Sequence, residues 1–158
     1  MLVYRTTVES PVGTLLLASD GQALTGLWLE GQKYFAAGLD SGAEENAALP
    51  VFREAEAWLE AYFAKGALPP LPALAPKGSA FRQSVWKLLG EIPYGETRTY
   101  KELAEALGSS PRAVGGAVGH NPISILIPCH RVLGTGGSLT GYAGGTARKQ
   151  YLLILEQK

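Results

Sequence analysis

The spacing of apolar and polar positions changes character near the middle of the chain. Val3 to Val8 and Thr14 to Ala18 predict two strands, parted by the turn Ser10-Pro11-Val12-Gly13. Asp20-Gly21 is a hairpin signal, and Ala23 to Leu29 reads as the returning strand. Residues 31–50, rich in Gly, Ala and acids, predict no element. Phe52, Ala55, Leu59, Tyr62 and Phe63 then recur at helical spacing, and Gly66 ends that helix. The expectation is a small sheet with a covering helix and no chemistry. Leu68-Pro69-Pro70-Leu71-Pro72 to Pro76 should run extended and semi-rigid, and marks the expected boundary between units 1–75 and 76–158.

Beyond it the period is helical. Phe81, Val85, Leu88, Leu89 and Ile92 share one face, with Ser79 as N-cap. Thr99 and Glu102 form a capping box, Tyr100, Leu103, Ala104 and Leu107 follow, and Gly108 supplies the stop. Ser110 caps another helix with Pro111 at its first position. Two short helices joined in this way have helix-turn-helix spacing. The second one, through Arg112, Ala113, Val114, Gly115, Gly116 and Ala117, carries one long polar side chain among very small ones. That composition favours close backbone approach over base-sequence readout, and minor-groove proteins likewise wedge side chains into the stack. Ala147 to Gln157 predicts a final helix, with Glu156 on the unfavourable side of its dipole.

Between these helices the apolar run Ile123 to Ile127 reads as a buried strand, ended by Pro128, which has no N–H to donate. It presents Cys129, the only cysteine, followed by His130, one of two histidines. A free thiol ionises near pH ~8.5, so a nucleophilic cysteine needs a base or a positive field. Burial alone would raise its pKa. His130, acting through a water or a bend and oriented by Glu156, is the expected activator. The alternatives are a small buried hydrophobe beside a satisfied polar group. The glycine-rich stretch 134–145 lacks a phosphate-loop lysine pattern. It reads either as a flexible loop or as a pocket wall with Tyr142 as a hydroxyl donor.

Composition adds three points. At 46% hydrophobic and 18% charged, the chain can build a core. One cysteine excludes an internal disulfide and a cysteine-rich zinc site, and a free thiol suits a reducing compartment. With no leader pattern at Met1 to Arg5 and no run long enough to span a bilayer, the expected location is the cytoplasm, away from membranes. The zero net charge hides a split. Residues 1–75 carry four basic against nine acidic side chains, and residues 76–158 carry ten against five. The second half should face an anionic partner.

Ile127-Pro128-Cys129-His130-Arg131-Val132, with Arg112 to Ala117, Asn121-Pro122, Ile92 to Thr97 and Thr140-Gly141-Tyr142, resembles the O6-alkylguanine-DNA alkyltransferases over residues 79–156. The resemblance implies an α+β protein: an RNase H-like N-terminal antiparallel sheet with helix, and a winged-helix-like C-terminal domain. It implies a monomer that binds duplex DNA containing O6-alkylguanine and flips the damaged base. Arg112 would fill the vacated stack, with Thr99, Ala113, Gly115 and Gly116 at the DNA. Cys129 would take the alkyl group once, with His130 and Glu156 as base, Tyr100 giving a proton or hydrogen bond to the leaving guanine, and Asn121 bracing the turn. Tyr142, Val132, Ala143 and Gly144 would line the guanine pocket. No metal or cofactor is expected. Two rival readings are a non-catalytic binder of alkylated DNA, against which Cys129 argues, and a cysteine hydrolase, which leaves the helix pair unused.

Overall fold

The computed structural model describes residues 2–139 and 141–157. Strands β1 (Tyr4–Ser10), β2 (Gly13–Ser19) and β3 (Leu24–Leu29) form an antiparallel meander, and the two-residue β4 (Glu44–Glu45) adds in parallel at the far edge, giving the order β3-β2-β1-β4. The alternation seen in the sequence sets which face is buried: Leu15 and Leu17 of β2 are fully enclosed. Helix α1 (Pro50–Phe63) covers that face with Phe52, Ala55, Leu59 and Tyr62, joined by Val51 and Trp58.

The proline-rich connector is extended and docked. Leu24 N donates to Ala73 O at 2.8 Å and Ala75 N to Leu24 O at 2.8 Å, so the connector covers part of the outer edge of β3. Farther along that edge, Leu27 pairs with the C-terminal half: its N donates to Pro122 O at 2.8 Å, and Ser124 N donates to Leu27 O at 2.9 Å. Covering an open edge in this way removes a site for unwanted pairing. It also joins the halves. One continuous apolar core runs from Leu15 and Phe52 through Val85 and Val114 to Ile123 and Leu152.

Three helices follow as the sequence predicts: α2 (Ala80–Gly90), α3 (Tyr100–Leu107) and α4 (Pro111–Gly119). Ser79 accepts from Arg82 N, and Thr99 and Glu102 close a reciprocal capping box. Gly108 stops α3 in the left-handed region at φ 62°, and Ser110 caps α4. Trp86 Nε1 donates to Ala117 O at 2.8 Å and ties α2 to α4. Phe81, expected on the inner face of α2, is 36% exposed, and Trp86 takes the buried place instead. The short parallel pair β5 (Arg98–Thr99) and β6 (Val132–Leu133) brings the residues after Cys129 beside the start of α3. Helix α5 (Thr146–Leu155) closes the chain, with Glu156 as its C-cap.

One expected element is absent. Residues 123–127 are buried but do not form a strand. After the single bridge at Ile123 the chain turns, with Ile125 at φ 72°.

Candidate active site

The turn before the cysteine is held by Asn121. Its Nδ2 donates to Ile127 O at 2.9 Å and Ile123 O at 3.3 Å, while its Oδ1 accepts from Ile123 N at 3.0 Å. A β-branched residue in the left-handed region is strained and persists only where neighbours over-determine it. Asn121 does so for Ile125, because a side-chain amide here takes the place of a strand partner. Residues Cys129–Arg131 then form one 3₁₀ turn rather than extended chain. Successive side chains there diverge by roughly 120° instead of alternating between two faces. The thiol, imidazole and guanidinium therefore leave the backbone in three directions.

Two of those three groups meet at Glu156. His130 Nε2 lies 2.6 Å from Glu156 Oε2, and Arg131 grips both carboxylate oxygens, Nε to Oε1 at 2.8 Å and Nη2 to Oε2 at 3.0 Å. Arg131 Nη1 donates to Ile92 O at 2.7 Å. From α1, Tyr62 donates its hydroxyl to Glu156 Oε2 at 2.6 Å, and Gly95 N donates to Oε1 at 3.2 Å. Burial pushes the Glu156 carboxyl up, but the bonds from His130, Arg131 and Tyr62 outweigh it and hold the pKa down to about 2. The charged Arg131 guanidinium also answers the unfavourable helix-dipole position noted above.

His130 is 0% exposed, and burial as the first cause lowers its pKa below the usual histidine value despite Glu156. The ring is then neutral, donating from Nε2 to the carboxylate, which leaves Nδ1 as its basic atom. Nδ1 has no hydrogen-bond partner among the described residues. Cys129 is also buried, and that burial raises its thiol pKa to about 11. The Asn121 amide is the strongest opposing influence, followed by the charge of Lys149 and the backbone N–H groups of Cys129 and His130. The side chains of His130 and Glu156 are not among the main influences that lower it. The resting group is a thiol.

Two phenols feel the charge that Cys129 would carry. Burial first, then Cys129, raises Tyr100 to about 12 and Tyr142 well above the ordinary tyrosine value. Both therefore remain protonated donors at neutral pH. The Tyr100 ring is approached by Gly115 of α4, where an added Cβ would come within 3.9 Å of Cδ1, and its hydroxyl sits against Gly141, where a Cβ would fall 2.5 Å away. Gly144 is packed as tightly: a Cβ there would lie 2.6 Å from both Tyr142 Cε2 and Leu29 Cδ1. Val132 is buried in β6, and Ala143 is half-buried beside Tyr142. Thr140 lies outside the described residues.

A cleft of about 460 Å³ opens between Tyr100, Arg112, Gly115, Gly134 and Gly141. Arg112 also borders a second groove, with Arg82, Ser110, Ala113 and Gly116. Arg112, Ala113 and Gly116 are exposed on α4, whereas Gly115 is half-buried against Tyr100. Thr99 is half-buried, its hydroxyl accepting from Glu102 N at 3.0 Å. No group of three or more His, Cys, Asp or Glu among the described residues is placed to hold a metal, and no described helix is long and apolar enough to cross a membrane.

Arg131, in the motif beside Cys129, pairs with Glu156. Two contributors escape a reading of the sequence. Tyr62 looks like an ordinary core position on α1. Lys149, 0% exposed near the start of α5, has its Nζ 5.8 Å from the Tyr100 ring centroid and a pKa lowered to about 8, by burial first, with the Cys129 charge opposing. A buried lysine carries no sequence signature; only packing identifies it.

Residues 80–158 match the family model for the DNA-binding domain of 6-O-methylguanine DNA methyltransferase, and residues 3–68 match the model for its ribonuclease-like domain. A methylated-DNA–protein-cysteine methyltransferase from Methanosarcina barkeri is 50% identical over 159 residues, covering 98% of each chain. One from Haemophilus influenzae is 45% identical over 159 residues, covering 98% of this chain and 87% of its own. The crystal structure of Mycobacterium tuberculosis OGT in complex with DNA superposes with a TM-score of 0.86 at 44% identity, covering 97% of this chain and 92% of its own.

Proposed function

Because this chain belongs to the 6-O-methylguanine DNA methyltransferase family, we propose that it repairs O6-alkylguanine in duplex DNA by moving the alkyl group onto Cys129. The observation that carries this reading is the buried thiol beside two protonated phenols, next to a neutral imidazole tied through Nε2 to Glu156. Residues 76–158 carry the chemistry and the DNA face; residues 1–75 support them. The protein acts as a cytoplasmic monomer.

The exposed face of α4 enters the minor groove, where its small residues allow close approach and Arg112 fills the stack left by the flipped base. The guanine lodges against Tyr142, Val132, Ala143 and Gly144. His130 Nδ1 takes the Cys129 proton through a water, and Glu156 stabilises the imidazolium that forms. The sulfur attacks the alkyl carbon, the carbon–O6 bond breaks, and its electron pair goes to the guanine. Tyr100, protonated and adjacent, hydrogen-bonds to the leaving guanine anion, which takes up a proton to become neutral guanine as His130 releases the one it accepted. The product is a thioether, with no carbonyl for water to attack, so each molecule reacts once.

Titrating repaired guanine against protein tests this. Repair should stop at one equivalent per chain. Continued turnover would mean a hydrolase.

A further inference from the structure

Residues 31–40 predict no element and lie in the half without chemistry, yet they bond to the site at three points. Gln32, buried, accepts from Leu29 N at 2.7 Å and from Ser124 Oγ at 3.4 Å through Oε1, and donates from Nε2 to Lys33 O at 3.1 Å. Ser124 belongs to the turn that leads into Cys129. Lys33 N donates to Ala143 O at 2.9 Å, inside the glycine-rich wall. The Tyr34 ring stacks on His120 with centroids 4.0 Å apart and planes at 22°, and His120 Nδ1 lies 2.7 Å from Gly116 O of α4.

The wall needs such support. Gly141 and Gly145 have φ of 88° and 92°, and Gly144 adds a third residue without a side chain. A backbone this rich in glycine has many alternative conformations. The segment that holds it is itself constrained: Tyr34 and Ala36 sit in the left-handed region at φ 61° and 56°, where non-glycine residues stay only if neighbours hold them. The packing of Leu29 against Gly144 braces the same wall from behind.

We propose that Gln32, Lys33 and Tyr34 are a positioning clamp that sets the guanine-pocket wall at Ala143 relative to the Cys129 turn and the end of α4. The N-terminal half thus determines how well a leaving base is held at the thiol. This rests on reading Tyr142 to Gly144 as the base pocket.

The test compares two reagents for Cys129. O6-benzylguanine, as the free base, needs the pocket wall; iodoacetamide needs only the thiol. In Gln32→Ala the rate with O6-benzylguanine should fall about tenfold, the effect of losing a well-placed hydrogen bond on orientation, while the iodoacetamide rate stays or rises. Tyr34→Ala, at a side chain 41% exposed, should shift the same ratio about threefold. Equal losses with both reagents, or no change in the ratio for Tyr34→Ala, would overturn the clamp. Failure of the unaltered protein to accept the benzyl group would instead overturn the underlying function.

Discussion

Tyr62 and Glu156, 94 positions apart, are joined by a 2.6 Å hydrogen bond from the phenol of α1 to the carboxylate that ends α5. A residue of the N-terminal half thus helps to hold the carboxylate that meets His130. Tyr62→Phe should cost about 1.5–3 kcal/mol of stability, as for a buried bond to a charged group. The sign of the pH effect follows from Glu156. Its carboxyl is lowered from 4.5 to about 2, so its contribution is full above about 4.5 and is lost as pH falls towards about 2. Urea midpoints should drop across that window, and Tyr62→Phe should move the drop to higher pH. An unchanged profile would mean the bond contributes nothing.

His130 is neutral and Cys129 protonated at neutral pH, so the rate with free O6-benzylguanine should be flat between about pH 7 and 9. His130→Ala should lower it at pH 7 by about 100-fold or more. The residual rate should climb about tenfold per pH unit towards the thiol pKa of about 11, since only spontaneous thiolate remains. A flat residual profile would remove His130 as the base.

Lys149→Met keeps the bulk and removes a buried ammonium whose charge favours ionised Cys129. The thiol should ionise at still higher pH, and alkylation should slow about tenfold for each pKa unit gained. Lys149→Arg should restore part of the rate. The pH dependence of iodoacetamide labelling measures it directly, and an unmoved thiol pKa would contradict the assignment.

Most of the fold was legible because its signals are local. The strands, the capping box at Thr99 and Glu102, and the Ser110-Pro111 start of α4 all rest on neighbours in the chain. The buried run at 123–127 was not, because Asn121 supplies side-chain partners where a strand would supply backbone ones. Cys129, His130 and Glu156 were legible as candidates, and the structure brings the last two into contact. Tyr62, Lys149 and the Gln32–Tyr34 segment reach the site only through tertiary packing, which no local pattern encodes.

Arg112 is exposed on α4 beside the Tyr100 cleft and far from the Glu156 cluster in the chain. Arg112→Ala should weaken repair in duplex DNA strongly, by about 100-fold if it stabilises the vacated stack by a few kcal/mol, and leave the reaction with free O6-benzylguanine nearly unchanged. Equal losses in the two assays would show that its role is structural.

Alkyl transfer to Cys129 leaves a covalent mark, read by the intact mass of the protein after mixing with duplex DNA carrying O6-methylguanine, followed by peptide mapping. The expected result is a gain of about 14 Da, one methyl group per chain, located on Cys129, and no gain in Cys129→Ala. A protein that restores guanine while its own mass stays unchanged, or a methyl group found on any other residue, would contradict it.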